Sequence, residues 1–101
     1  MSEDQNQVPF GKRVTKTLKV KNQMGLHMRP ATEIAKLLQG REEKVNLTYM
    51  GQSVNARSVM NILMLAIPKN GEVTLEVEGP HAEALLQELE SGFKQRFGEK
   101  H

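Results

Sequence analysis

Apolar and polar residues alternate in four short stretches of the chain, at the period of two that is typical of half-buried β-strands. These stretches are residues 14–20, 45–49, 53–56 and 73–77. Gly51 separates the second from the third and predicts a turn, so that these two strands form a hairpin. The pattern therefore predicts four strands, two of them adjacent in sequence.

Three other stretches repeat apolar residues at spacings of three and four, as amphipathic helices do. The predicted buried stripes are Ala31, Ile34, Ala35 and Leu38; Val59, Ile62, Leu63 and Ala66; and Ala82, Leu85, Leu86, Leu89 and Phe93. The first helix is predicted over 31–39 and the second begins after Ser58. Gly79 and Pro80 introduce the third helix, and Gly98 is predicted to end it.

The predicted order of elements is βαββαβα. The hairpin and the clean alternation favour an antiparallel sheet with one face toward solvent, and the helices then cover the other face. We therefore predict an α/β (α+β) fold. It is an open-faced sandwich in which three helices lie on one face of a four-stranded antiparallel sheet.

The composition narrows the class of protein. The 101 residues suffice for one core, and we predict a flexible polar tail over 1–13 followed by one domain over 14–101. The beginning of the chain is polar and acidic, unlike a secretory signal, and no apolar run reaches the ~20 residues of a membrane helix. Cysteine is absent and the net charge is only +2, so a cytoplasmic protein that does not bind nucleic acid is expected.

Candidate chemistry lies at residues 25–31, where the first strand gives way to the first helix. The start of a helix exposes unpaired N–H groups and carries about half a positive charge, which suits a phosphate. His27 stands at this corner as a nucleophile, and Arg29 follows two residues later. Pro30 suits a first helical turn, and Gly25 can adopt the backbone angles of the approach. The alternative is a histidine that only caps the helix or lies on the surface.

The hexapeptide LHMRPA at 26–31 resembles the active-site signature of the HPr family, the phosphocarriers of the bacterial phosphotransferase system. The resemblance continues in order and spacing through residues 45–49, 54–60, 63–66, 71–73 and 79–80, and covers about 15–97. It implies that His27 accepts a phosphoryl group through Nδ1 from phosphorylated Enzyme I and passes it to EIIA domains. It also implies that Arg29 stabilises the phosphate. Such a protein is a carrier without its own enzymatic turnover or cofactor, and a monomer is expected.

Ser58 precedes the second helix and is a predicted N-cap, which needs no further role. The resemblance adds a second interpretation, because Ser58 matches the serine that an HPr kinase/phosphorylase modifies in some bacteria. A phosphate there would add negative charge beside the docking face and repel an acidic partner.

Several methionines fall outside the predicted core stripes. We predict that Met24, Met28 and Met60, with Leu63 and Met64, form an exposed apolar patch around His27. The family presents this face to Enzyme I and to EIIA domains.

The sequence also allows other interpretations of the function. The carrier could serve sugar transport or the regulatory, nitrogen-type branch, or it could act mainly as a binding protein controlled through Ser58. The order of strands and helices alone would also permit a small RNA-binding domain, but the predicted strands offer only Tyr49 as an aromatic platform. His81 and His101 form no metal-ligand motif with His27, and no metal is expected.

Overall fold

The computed structural model describes residues 12–100. Its four strands are β1 (Lys12–Lys19), β2 (Lys44–Tyr49), β3 (Gln52–Asn55) and β4 (Glu72–Gly79). They form one antiparallel sheet in the order β1-β4-β2-β3. β2 and β3 make the predicted hairpin, while β4 enters the middle of the sheet between β1 and β2.

Three helices complete the fold: α1 (Met28–Leu38), α2 (Val59–Met64) and α3 (Ala82–Lys94). α3 packs against β1 and β4, and α1 packs against α2. A 3-10 turn, Arg96–Gly98, follows α3 and contacts α1. The predicted order and the open-faced antiparallel sandwich are confirmed.

The core lies between the sheet and the helices. Alternate residues of β2 and β4 face it, which is the consequence of the period of two in these strands. The largest buried side chains that pack here are Val20, Val45, Leu47, Val73, Leu75, Val77, Ile34, Leu38, Ile62, Leu85, Leu89 and Phe93. All five residues of the predicted α3 stripe are buried. In the predicted α1 stripe, Ala31, Ile34 and Leu38 are buried and Ala35 is half-buried.

The ends of the helices differ from the prediction. α1 begins at Met28, three residues earlier than predicted, because Met28 and Arg29 are exposed and lie outside the buried stripe on which the prediction was based. α2 ends at Met64, so the prediction that Ala66 belongs to its buried stripe is wrong. Ala66 is exposed and has a left-handed backbone, with φ 53°. The chain turns there so that Ile67 is buried in the core instead.

α3 also ends earlier than predicted, at Lys94, and Gly98 ends the 3-10 turn that follows. At the other end, β1 begins at Lys12, so Lys12 and Arg13 belong to the sheet. The rest of the predicted tail, residues 1–11, lies outside the described residues, and so does His101. None of the helices within 12–100 is long and apolar enough to cross a membrane.

Candidate functional site

The loop between β1 and α1 is held against the segment that follows α2. The N–H of Leu26 donates to the carbonyl of Ile67 at 3.0 Å, and Leu26 is buried. Gly25 has φ 70° and donates its N–H to the carbonyl of Asn22, which closes a turn. These bonds fix the direction in which the chain enters α1, and therefore fix the place of the next residue, His27.

His27 is the N-cap of α1. Its backbone is extended (φ −83°, ψ −167°) and its carbonyl accepts the N–H of Ala31 at 3.1 Å. Its side chain makes no capping hydrogen bond, and about a third of that side chain (32%) is exposed. The imidazole is therefore accessible and is not used to satisfy the helix, which argues against the interpretation as a capping histidine.

The surroundings of this N-cap are suited to an anion. The N–H groups of Met28 and Arg29 have no acceptor inside the helix, since the first turn of any helix lacks one, and Pro30 carries no N–H. The first turn of α1 contains no acidic residue. The Arg29 side chain is exposed and has no hydrogen bond or ion pair with any residue of 12–100. Its guanidinium is thus available to a phosphate.

Glu99 also faces His27, and the sequence analysis did not identify it. Its Oε1 lies 3.8 Å from Nε2 of His27. The hydrogen bond from the Asn22 amide lowers the pKa of Glu99, burial opposes this effect, and the N–H of Gln23 lowers the pKa further. Electrostatic interactions with His27 and Arg96 act in the same direction. Glu99 is therefore an ionised carboxylate at neutral pH. No local motif marks it, because Asn22 is 77 residues away in sequence.

Ser58 is the N-cap of α2, as predicted. Its Oγ accepts the N–H of Asn61 at 3.2 Å. This bond accounts for a serine at this position, and the regulatory phosphorylation of Ser58 stays a prediction.

Four of the methionines in the predicted docking patch are exposed. The exposed fractions are 75% for Met24, 58% for Met28, 68% for Met60 and 76% for Met64. Leu63 is half-buried and packs against the core, so it offers less surface than the methionines. Met50 is equally exposed but lies in the turn between β2 and β3.

A second carboxylate that sequence reasoning missed is Glu43, which is almost completely buried. Its Oε2 accepts the N–H of His81, the N-cap of α3, at 2.9 Å, and lies 3.5 Å from Nδ1 of the exposed His81 ring. Burial alone would raise the pKa of Glu43, but the N–H groups of His81 and of Glu43 itself, together with the His81 ring, lower it. This contact joins the beginning of β2 to α3, and it explains Glu43 structurally.

Comparison with known proteins agrees with the fold and with the sequence signature. The family described as the PTS HPr component phosphorylation site matches residues 14–95. The phosphocarrier protein HPr of Chlamydia trachomatis is 49% identical over 80 residues, which are 79% of this chain and 73% of that protein. HPr of Treponema pallidum is 36% identical over 87 residues, 86% of this chain and 99% of that protein.

A crystal structure of HPr from Thermoanaerobacter tengcongensis has a TM-score of 0.80 at 30% identity, and covers 89% of this chain and 99% of that one. The chain therefore belongs to the HPr family. Its function is that of a phosphocarrier in the phosphoenolpyruvate-dependent phosphotransferase system, as the signature at 26–31 predicted.

Proposed function

We propose that His27 is the residue that accepts and releases the phosphoryl group, with Arg29 and the first N–H groups of α1 as the groups that hold it. The observation that supports this most is the position of the imidazole: it stands at the electropositive end of a helix and makes no capping bond of its own. A histidine that served only the helix would donate or accept a hydrogen bond there.

The transfer needs no cofactor. A lone pair of the imidazole attacks phosphorus, a new N–P bond forms, and the bond from phosphorus to the donor breaks with its electron pair left on the donor. The phosphoryl oxygens then accept hydrogen bonds from Met28, Arg29 and the guanidinium. Because the phosphoryl group must leave again, a few N–H donors and one arginine suit the task better than a tightly binding metal site.

The donor is phosphorylated Enzyme I and the acceptors are EIIA domains, both of which we expect to dock on the exposed methionines around His27. Exposed methionine side chains adapt to more than one partner surface. The protein then acts in the cytoplasm as a carrier that is regenerated by its partners, without turnover of its own. An HPr kinase/phosphorylase acting on Ser58 is a further candidate partner.

The test is incubation with Enzyme I and phosphoenolpyruvate, followed by intact-mass measurement and phosphorus NMR. The parent should gain one acid-labile phosphoryl group, and His27→Ala should gain none. His81→Ala is the matched control, because His81 is also exposed and also precedes a helix, yet should be labelled like the parent. Labelling of His27→Ala at the rate of the parent would refute the assignment.

A further inference from the structure

The carboxylate of Glu99 is held in place at both oxygens. Oε1 accepts a hydrogen bond from Nδ2 of Asn22 at 2.6 Å, and Oε2 accepts one from the backbone N–H of Gln23 at 3.1 Å. Only 15% of the Glu99 side chain is exposed. With these two bonds in place, Oε1 lies 3.8 Å from Nε2 of His27, too far for a direct hydrogen bond but close enough for the negative carboxylate to attract an N–H on Nε2.

Asn22 is the anchor of this arrangement. It is fully buried, and its Nδ2 donates both to Glu99 and to the carbonyl of Arg96 at 2.9 Å. Both partners can only accept, so the amide nitrogen must face them. The other atom of the amide, Oδ1, is buried without a partner. Leaving a buried oxygen without a hydrogen bond costs free energy. The amide nevertheless keeps this orientation, which indicates that the two bonds from Nδ2 to Arg96 and Glu99 determine it.

The segment that carries Glu99 is bent toward the site. Arg96 and Phe97 both have left-handed backbones, with φ 55° and 48°, a conformation that costs energy for residues other than glycine. The Phe97 ring packs edge-on against Phe93 with ring centres 5.0 Å apart. It also occupies the space beside Gly92 that a side chain would fill. Strain, aromatic packing and the Asn22 bonds together bring a carboxylate to His27.

We propose that Glu99 is a positioning residue for His27. Its carboxylate, anchored by Asn22, keeps the imidazole proton on Nε2 and leaves the lone pair on Nδ1 for phosphorus. This inference rests on the function proposed above. It goes beyond the family likeness, because Glu99 lies outside residues 14–95, which match the family.

The chemistry balances without any further reactant. Nδ1 gives its lone pair to phosphorus, the bond from phosphorus to the donor breaks, and the proton on Nε2 stays where it is. The ring then carries positive charge, which the carboxylate beside Nε2 stabilises while the phosphoryl group sits on the other ring nitrogen. In the return step the charge disappears, and Glu99 again fixes the neutral ring with its proton on Nε2.

The test compares Glu99→Gln with the parent. The substitution keeps the size of the side chain and removes its charge, so the fold should persist, as checked by circular dichroism. The 15N chemical shifts of the His27 ring should show a smaller fraction of the tautomer that is protonated at Nε2. Phosphorylation by Enzyme I should slow about fivefold, the upper range for a partly exposed charge pair.

Two further variants make the result decisive. Glu99→Asp keeps the charge and should recover part of both effects. Glu42→Gln removes a charge from an exposed glutamate elsewhere and should behave like the parent. If Glu99→Gln leaves the 15N shifts of His27 unchanged, the positioning role is refuted, even if transfer slows, since Glu99 would then affect only docking. Failure of the parent itself to be phosphorylated on His27 would instead refute the proposed function.

Discussion

Gly25 lies against the carbonyl oxygen of Ile67 so closely that a Cβ at Gly25 would collide with it. The next N–H, that of Leu26, donates to the same oxygen at 3.0 Å. The carbonyl of Ile67 thus binds the loop that carries His27 through a hydrogen bond, and it leaves no room for a side chain at position 25. Gly25, two residues before the signature histidine, is therefore required by a contact between distant parts of the chain as well as by its left-handed backbone.

We predict that Gly25→Ala lowers the free energy of unfolding by about 2–4 kcal/mol, because it combines a left-handed alanine with a backbone collision. Gly40→Ala is the matched control. Gly40 has a similar φ of 78° but no atom within 4 Å of the place a Cβ would take. It should lose only about 1–2 kcal/mol. Chemical denaturation of the two variants measures the difference, and equal losses would show that the contact with Ile67 is unimportant.

The proposed role of Arg29 in holding the phosphoryl group can be tested by mutation. We expect Arg29→Gln to slow phosphorylation of His27 by about tenfold or more, because a charge-assisted hydrogen bond to the phosphoryl oxygens is lost. The measurement is the rate of labelling by Enzyme I at saturating phosphoenolpyruvate. Lys36→Gln, which removes a cation from the other end of α1, should leave the rate unchanged. A rate for Arg29→Gln equal to that of the parent would exclude a phosphate-binding role.

Two substitutions separate the roles of Ser58. Ser58→Ala removes the hydrogen bond to the Asn61 N–H and should cost about 1 kcal/mol of stability, measured by thermal unfolding, without slowing phosphoryl transfer. Ser58→Asp can still cap α2 but adds a negative charge, so it should keep the stability and slow the transfer. If Ser58→Asp transfers as fast as the parent, charge at this position does not regulate docking.

The role of the predicted docking patch can be tested by mutating Met60, with Met50 as the control. Met60→Ala should raise the KM for phosphorylation by Enzyme I about fivefold, because an exposed apolar contact of the docking face is lost. Met50→Ala removes an equally exposed methionine from the turn between β2 and β3 and should have no effect. Similar KM values for the two variants would place the docking face elsewhere.

The environment of Glu43 leads us to predict that the stability of the protein falls at acidic pH. The pKa of Glu43 is lowered in the folded protein. Its ionised form therefore stabilises the fold fully above the unfolded value of 4.5, and this contribution disappears as the pH falls through the lower folded value. Glu43→Gln should be about 1–2 kcal/mol less stable than the parent at pH 7. At pH 3 the difference should be smaller, whereas Glu42→Gln should follow the parent at both values.

The strands and the third helix were predictable because their patterns are local. Alternation in β2 and β4 and the three-four spacing in α3 identify the buried residues, since a side chain's direction follows from its place in the element. The ends of α1 and α2 were not. Met28 begins α1 but is exposed and lies outside the buried stripe, so the periodicity does not mark it. α2 stops at Met64, and the chain that follows brings Ile67 into the core and its carbonyl to Leu26.

At the site, the residue types at 25–31 were enough to predict a phosphate at a helix end, because a histidine, an arginine and a proline there already define the chemistry. The capping interpretation could be set aside only when the side chain of His27 proved to make no capping bond. The exposure of Met24, Met28 and Met60 had been predicted by elimination from the core stripes. Leu63 was assigned both to the buried stripe of α2 and to the patch, and it is half-buried against the core, between the two.

Sequence alone determined the order of the elements, the antiparallel sandwich and the signature that identifies the family, because each depends on neighbours along the chain. Only the tertiary structure decided that Glu99 stands beside His27, that Asn22 holds it there, and that Gly25 has no room for a side chain. These contacts join residues far apart in sequence. The distances between these residues depend on how the loops are placed once the core has packed. The local spacing of apolar residues along the chain does not reveal them.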